Sequence, residues 1–324
     1  MKLLTIIVNY RTAELTRQAL ASAIRASAGV EGSAIVVVDN DSQDGSFDAL
    51  ERAARDEACG ARVEVLASEY NGGFGYGTNF AIRRALASED PPEYIYLLNS
   101  DAFPAEDAIE KLVAYMDANR RVGIAGSFVH GIDGVPHSTA FRFPTIFSEF
   151  EDAMQLGLLT RLLTRYVVPL PVPDEDSEVD WVAGASMLLR TEMLEEIGLF
   201  DETFFLYFEE TDLCRRAQRA GWPIVYVRDC QVTHVGSAST GLQDMTRRRP
   251  AFWFDSRHHY FIKNHGPIYL CLANAAQLAG GAIFRARRAL QGQRRARPLP
   301  DRFLRDLVGH MARTGLRVAA PRTS

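Results

Sequence analysis

The chain has 324 residues, 47% hydrophobic and 24% charged, with a formal net charge of −5, the composition of a soluble globular protein long enough for one large α/β domain or one domain with an appendage. The charge is unevenly placed: residues 281–324 hold eleven Arg against Asp301 and Asp306, a local +9 that leaves −14 on residues 1–280. An acidic body with a basic end argues against a nucleic-acid partner, whose basic footprint belongs on the folded domain. Cys59, Cys214, Cys230 and Cys271 form no CxxC pair, so neither a zinc site nor a disulfide framework is indicated, and reduced, mostly buried thiols are expected. Met1-Lys2 runs straight into an apolar stretch, so no signal peptide is read and the body is expected to be cytoplasmic.

Leu3–Val8 is a β-branched run ending at Asn9-Tyr10-Arg11, and Ala13–Ser27 follows with apolar residues at helical spacing. Ala34–Val38 repeats the unit, ending at Asp39-Asn40-Asp41-Ser42, with a helix over Phe47–Cys59. A third strand, Arg62–Leu66, leads into the glycine-rich Asn71–Asn79 stretch and a helix over Phe80–Ala87. The fourth, Tyr94–Leu98, stops at Asn99-Ser100-Asp101 and precedes a helix presenting Ile109, Leu112, Val113 and Met116. Such alternation predicts a parallel sheet whose polar loops converge on one edge, where an open α/β fold binds a nucleotide. No GxGxxG and no GxxxxGK[ST] occurs, which weakens dinucleotide and P-loop readings.

Val8-Asn9-Tyr10, Val38-Asp39-Asn40-Asp41-Ser42, the Asn71–Gly75 loop with Asn79, and Asn99-Ser100-Asp101 together resemble the nucleotide-sugar-binding half of inverting family 2 glycosyltransferases, in particular the bacterial rhamnosyltransferase-like branch. The resemblance implies a GT-A fold, a Rossmann-like mixed, mainly parallel sheet flanked by helices. It implies a glycosyltransferase domain over 1–265 (donor half 1–128, acceptor and catalytic half 129–265) and a helical basic tail over 266–324. The Asn99-Ser100-Asp101 triplet takes the place of the family's DxD motif, so Asp101 is expected to bind Mg²⁺ or Mn²⁺. Val8, Asn9, Tyr10, Arg11, Asp39, Asn40, Ser42, Gly73, Phe74, Asn79, Asn99 and Ser100 are expected around the nucleotide sugar.

In the second half, Val122–Phe128 reads as a strand and Arg142–Pro173 as an irregular excursion, since prolines at 169, 171 and 173 exclude a central strand or helix there. The chain returns at Val179–Arg190, where Trp181-Val182-Ala183-Gly184-Ala185 resembles the family's Trp-x-x-Gly-Ala segment, placing Trp181 and Gly184 at the donor and acceptor pocket. Phe204–Phe208 leads into Glu209-Glu210-Thr211-Asp212 at the start of a helix that Gly221 ends. Three acids beside aromatics favour a raised pKa on at least one, which suits a general base. The family has Asp at the base position where this chain has Glu210, so Glu210, Asp212 and Glu209 all stand as catalytic candidates. Pro223–Val227 and Gln231–Thr233 read as short strands, the second ending in His234-Val235-Gly236-Ser237. The resemblance makes His234 a second metal ligand, and Arg247–Arg249 with Arg257-His258-His259 offer cations for a diphosphate.

Gly266–Phe284 runs nineteen residues without formal charge, followed by Arg285, Arg287, Arg288, Arg294, Arg295 and Arg297. With Asn274, Gln277 and two glycines inside it, the run reads as a helix at the inner membrane surface or packed on the domain, its arginines facing anionic lipid. Asp301–Gly315 predicts a final amphipathic helix. The expected function is metal-dependent, inverting transfer of a sugar, from dTDP-rhamnose by the branch, to a lipid-linked or polysaccharide acceptor at the cytoplasmic face of the inner membrane. A nucleotidyltransferase and an inactive sugar-nucleotide-binding protein are the other classes the pattern admits.

Overall fold

Alternate residues of the first strand are buried on opposite faces: Leu3 and Ile7 enter one apolar cluster, Leu4 and Ile6 another. A strand covered on both sides belongs inside a layered α/β sheet. The computed structural model describes residues 1–57, 60–236, 247–291 and 300–317. Its strands are β1 (Leu3–Asn9), β2 (Ser33–Asp39), β3 (Arg62–Ala67), β4 (Tyr94–Asn99), β5 (Ala102–Pro104), β6 (Ile124–His130), β7 (Ala140–Phe141), β8 (Ser177–Val179), β9 (Trp181–Val182), β10 (Ser186–Arg190) and β11 (Ile224–His234). Its helices are α1 (Ala13–Ala26), α2 (Ser46–Glu57), α3 (Phe74–Leu86), α4 (Ala108–Ala118), α5 (Ile146–Met154), α6 (Gly157–Leu162), α7 (Thr191–Ile197), α8 (Glu209–Arg219), α9 (Ala251–His265), α10 (Pro267–Gln291) and α11 (Phe303–Thr314).

Among the described residues nine strands form one sheet, ordered β3-β2-β1-β4-β10-β6-β11-β5 with β8 also on β11. β1, β2, β3, β4, β6 and β11 run one way; β10 lies antiparallel between β4 and β6, and β5 and β8 are antiparallel to β11. The sheet is thus mixed and mainly parallel, as expected, and the carboxyl ends of β1, β2, β4 and β11 share one edge. β7 and β9 make a separate ribbon.

Several boundaries differ from the sequence reading. Helix α3 begins at Phe74 rather than Phe80, so Gly75 and Gly77 sit inside it. They are small because neighbours are close: a Cβ on Gly77 would stand 2.9 Å from Val8 Cγ1, and one on Gly75 3.2 Å from Phe200 Cβ. The Arg142–Pro173 stretch is not irregular throughout, since α5 and α6 lie within it. Helix α5 opens on a reciprocal cap between Thr145 and Ser148, which has Ser where the usual box has Glu or Gln. The run from Val179 to Arg190 is divided among the end of β8, β9 and β10, the last two separated by a turn at Gly184-Ala185, and the two short strands after Pro223 are one strand, β11, with an irregularity between Val227 and Gln231. Cys214 and Cys230 are buried but Cys271 is exposed; Cys59, Ser237, Arg294, Arg295 and Arg297 lie outside the described residues.

The carboxyl-terminal helices dock on the body. Arg257 of α9, almost wholly buried, donates from Nε (3.0 Å) and Nη2 (2.6 Å) to Glu149 Oε2 on α5 and from Nη1 to Asn274 Oδ1 on α10 at 2.6 Å. Arg257, His258 and His259 are therefore interior residues, not cations facing a cleft. Removing one partner of a buried ion pair strands the other charge. Glu149→Ala is expected to lower unfolding stability by about 3–5 kcal/mol, with Arg257→Ala similar and the double variant well short of the sum, read by urea denaturation.

Candidate active site

At the shared strand edge a cavity of about 250 Å³ is lined by Val8, Phe74, Asn99, Ser100, Asp101, Ala183, Gly184, Ala185, Leu206, Tyr207, Glu209, Glu210 and His234. A second, of about 230 Å³, shares Val8, Phe74 and Leu206 with it and adds Tyr10, Asn40, Asn71, Gly73, Phe205 and Phe252. A larger hollow of about 620 Å³ beside Leu4, Ala85 and Asp90 opens at the other ends of these strands, away from Asp101, Glu209 and Glu210. The two adjoining cavities make a cleft with an aromatic arm and an acidic arm.

Beneath the cleft the ends of β1 and β2 are tied together. Asn9 Nδ2 donates to Asp39 Oδ1 at 2.6 Å and to Ser42 Oγ at 3.1 Å, Ser42 Oγ donates to Asp39 Oδ1, and the Arg11 backbone N–H donates to Ser42 Oγ. Thr16 Oγ1 and the Thr12 backbone hold Asn9 Oδ1. Asn9 and Ser42 are fully buried and shape the floor, the exposed Arg11 is tied to it through Ser42 without entering the linings, and Tyr10 and Asn40 face the cavity. Asn40 Nδ2 donates to Asn71 Oδ1 and Gly73 O, fixing the loop that starts α3.

Gly73 has φ +90°, and a Cβ there would lie 1.8 Å from the Phe205 carbonyl oxygen, which accepts from Phe74 N at 3.2 Å. The donor-side loop and the loop before α8 are thereby in backbone contact. In that second loop Tyr207 and Phe208 both adopt left-handed φ, +70° and +69°, uncommon for bulky residues. Phe208 is held by Trp253 and Tyr260, and Tyr207 stacks on Phe252. The turn they make delivers Glu209 and Glu210 at the start of α8.

The three acids of α8 have different surroundings. Asp212 is fully buried and bonded by Arg216 Nε (3.0 Å), Lys263 Nζ (2.7 Å) and Asn264 Nδ2 (2.9 Å), outside the cavity lining. Glu209 and Glu210 line the cavity, and neither Glu209 Oε2 nor Glu210 Oε2 has a hydrogen-bond partner among the described residues. Burial pushes the Glu210 carboxyl up to about 7. Burial, and then repulsion from Glu210, raises Glu209 well above the carboxylate range.

Asp101, buried, and His234, at the end of β11, meet with Nε2 3.0 Å from Oδ1; Asn99 Nδ2 lies 3.5 Å from the same imidazole nitrogen. Among the described residues no group of three or more His, Cys, Asp or Glu side chains could hold a metal alone. One carboxylate and one imidazole at the rim of a cavity do fit a divalent ion that takes its remaining oxygens from a ligand. Asn79 and Trp181 lie outside the cavity linings. The Asn79 amide bonds both ways with the Phe200 backbone and donates to Glu202 Oε1, and Trp181 Nε1 donates to Arg142 O while its ring stacks on Phe141. Not expected in the site from the sequence were Asn71, Ala183, Ala185, Phe205, Leu206, Tyr207 and Phe252 of the lining and His137, whose ring lies 6.1 Å from that of His234. Phe252 stands on a helix that no capping pattern announced, and His137 in an irregular segment without periodicity.

The model of glycosyl transferase family 2 matches residues 5–166, half of the chain, and that of glycosyl transferase family group 2 matches 94–255. The chain belongs to glycosyl transferase family 2. It is 27% identical over 252 residues to the N-acetylglucosaminyl-diphospho-decaprenol L-rhamnosyltransferase of Mycobacterium tuberculosis (strain ATCC 25618 / H37Rv), covering 74% of each. It is 27% identical to the rhamnosyltransferase WbbL of Escherichia coli (strain K12) over 164 residues, half of this chain and 60% of that one. Among solved structures, the mannosyltransferase PcManGT of Pyrobaculum calidifontis in complex with GDP-Man and Mn²⁺ matches 98% of this chain and 86% of its own with TM-score 0.53 at 15% identity. S. aureus TarS matches 91% of this chain with TM-score 0.52 at 16% identity, and the chain spans 44% of that longer protein. The architecture is the GT-A fold, and the family makes the protein a glycosyltransferase rather than a nucleotidyltransferase.

Two measurements test this site. Gly73→Ala is expected to abolish donor binding or folding, because both its φ and the Phe205 carbonyl oppose a side chain; isothermal titration with nucleotide sugars checks it. The raised Glu209 carboxyl means that the folded chain keeps a proton the unfolded chain releases, so this group's stabilising contribution is full below the unfolded pKa and lost as pH rises through the folded one. Glu209→Gln should therefore raise the melting temperature by about 2–5 °C at about pH 8 and by less at about pH 4, in thermal scans across pH.

Proposed function

We propose that this glycosyltransferase moves rhamnose from dTDP-rhamnose, with inversion, to a hydroxyl of a lipid-linked or polysaccharide acceptor in cell-envelope glycan synthesis, working at the cytoplasmic face of the inner membrane. The observation that carries the reading is one cavity lined both by Glu209 and Glu210 of α8 and by Asp101 and His234 at the strand ends. The rhamnosyltransferase names of the two sequence relatives support the donor, and the diphospho-decaprenol in one of them supports a lipid-linked acceptor.

In this reading the nucleobase and ribose occupy the aromatic arm beside Tyr10, Asn40, Phe74 and Phe252, above the Asn9–Asp39–Ser42 floor. The diphosphate lies along Asn99, Ser100 and Asp101, with the sugar between Gly184 and Glu210. Asp101 and His234 would hold Mg²⁺ or Mn²⁺, which supplies positive charge to the departing diphosphate. Glu210 in its ionised form takes the proton of the acceptor hydroxyl. The oxygen bonds to the anomeric carbon as the bond to the diphosphate oxygen breaks, and the electron pair leaves with the diphosphate. One displacement from the opposite face inverts the anomeric centre and needs no enzyme nucleophile. Glu209, beside Glu210 in the sequence, is held protonated by burial and by repulsion from Glu210; Asp212 holds α8 to α9 through Lys263 and Asn264.

Incubation with a panel of nucleotide sugars, Mg²⁺ or Mn²⁺ and isolated membrane lipid names the donor; dTDP-rhamnose is expected to be consumed fastest, and another preferred sugar would refute that assignment. Glu210→Gln is expected to cut kcat by about 10²–10⁴ while leaving donor affinity within a few fold. Because Glu210 must be ionised to act, kcat/KM should climb with pH through about 7. If Asp212→Asn rather than Glu210→Gln removed that rise, the base would be misassigned. Asp101→Asn should abolish the dependence of transfer on added divalent ion.

A further inference from the structure

Helices on globular proteins bury an apolar stripe and show a polar face to water. Helix α10 departs from this on its outward side. Its inward side buries Leu270, Ala273 and Phe284 together with Asn274, bonded to the buried Arg257, and Gln277, whose amide, oriented to suit its neighbours, donates to Glu149 O (2.6 Å) and Oε2 (3.0 Å). Gly280 and Gly281 lie on that side too, where a Cβ would meet the Phe150 carbonyl at 2.6 Å and Leu304 Cδ2 at 2.7 Å. Its outward side is a stripe at three- and four-residue spacing: Ile268 (77% exposed), Leu272 (51%), Ala275, Ala279, Ile283 (44%), Ala286 and Leu290 (87%). At about 1.5 Å per residue the stripe runs for about 33 Å. No formal charge occurs in the helix before Arg285, and Arg285 and Arg288 are both exposed.

Charge gathers at the same end. Leu304 of α11 packs on Gly281, and the next residue, Arg305, lines a hollow of about 640 Å³ with Arg248, Arg249 and Arg313. Its acid, Asp306, is already paired with Arg248 by two bonds of 2.7 and 2.8 Å. A body of net −14 over residues 1–280 would be repelled by anionic lipid everywhere except near this cationic corner.

We propose that the outward face of α10, with the arginines at its carboxyl end, docks the protein in the plane of an anionic lipid bilayer. The helix lies along the interface and does not cross it. Crossing would pull Asn274 and Gln277 away from the buried Arg257–Glu149 pair and leave those charges without partners. An apolar face sunk to acyl depth with arginines at headgroup level is the binding mode of a monotopic helix. The inference stands apart from the choice of donor and acceptor, because its test needs no sugar transfer.

The full chain is mixed with sucrose-loaded vesicles of phosphatidylcholine, alone or with about one-third phosphatidylglycerol, and sedimented. Binding is expected to the anionic vesicles only and to weaken as salt is raised. Leu272→Asp with Ile283→Asp, and separately Arg285→Glu with Arg288→Glu, should each reduce binding about tenfold or more. Circular dichroism and thermal scans accompany each variant, and the Arg285/Arg288 pair, exposed on the helix surface, serves as the variant least able to disturb folding. A polarity-sensitive fluorophore on the exposed Cys271, in a Cys59→Ser background, should shift to the blue on anionic vesicles. The proposal is overturned if the native chain stays in the supernatant, if the charge-reversed variant binds as well as native, or if sedimentation velocity shows a dimer that Leu272→Asp dissociates without vesicles binding the native chain.

Discussion

The contact on which the site depends is between two backbones. The Phe205 carbonyl occupies the space a side chain at position 73 would need, so the donor loop and the loop before α8 lie flush against each other. On one side of this contact Gly73 begins α3, whose Gly77 lets the helix settle on Val8 at the end of β1. On the other, Tyr207 and Phe208 turn through left-handed conformations and release the chain into α8. Each left-handed bulky residue costs of order 1–3 kcal/mol. The aromatic packing of Tyr207 on Phe252 and of Phe208 on Trp253 and Tyr260 offsets that cost. The carboxylates of α8 therefore take their place relative to the donor loop from a glycine more than a hundred residues earlier.

That placement also explains how three acids within four residues divide their tasks. An acid at the first turn of a helix is favoured by the macrodipole, yet that effect is worth only about 0.3–1 kcal/mol and would treat the three alike. Partners separate them. Lys263, Arg216 and Asn264 converge on Asp212 and make it the anchor between α8 and α9. Glu209 and Glu210 open on the cavity with an unbonded oxygen each. Two carboxyls side by side in an apolar surround titrate as a pair, the second proton leaving only when the first charge is tolerated. A group that titrates near neutrality can accept a proton and release it again within one turnover.

Periodicity and punctuation in the sequence carried the first half of the fold almost residue by residue, because each strand there is a short apolar run closed by polar residues and each helix has one buried face. They failed where structure is set by distant partners. The glycines of α3 look like a loop in sequence; in the fold they are contact points for Val8 and Phe200. Helix α5 follows a Thr–Ser cap inside a stretch punctuated by prolines further on, and α9 mixes aromatic, charged and polar residues on its buried side. In the site, the residues at strand ends were readable because a strand's last residues must lie at the sheet edge. Asn79 and Trp181 were not placed as expected: the motif around each identifies a segment, while the direction of the side chain is decided by Phe200 and Phe141. Which of the three acids is tied up and which open on the cavity depends on Lys263 and Asn264, about fifty residues downstream of Asp212, which no local pattern announces.

Helix α9 joins the cleft to the corner where charge and apolar surface are exposed together. Its first turn supplies Phe252 to the aromatic arm, its middle supplies Arg257 to Glu149 and Asn274, and its last turn supplies Lys263 and Asn264 to Asp212. A buried arginine at that junction demands polar partners, and α5 and α10 both answer with their inward sides. The two amides of α10 are thereby used up internally, beside Leu270, Ala273 and Phe284, and neither is left for the outward side. The exposed apolar stripe is thus in part a consequence, on the surface, of the demand of one buried charge.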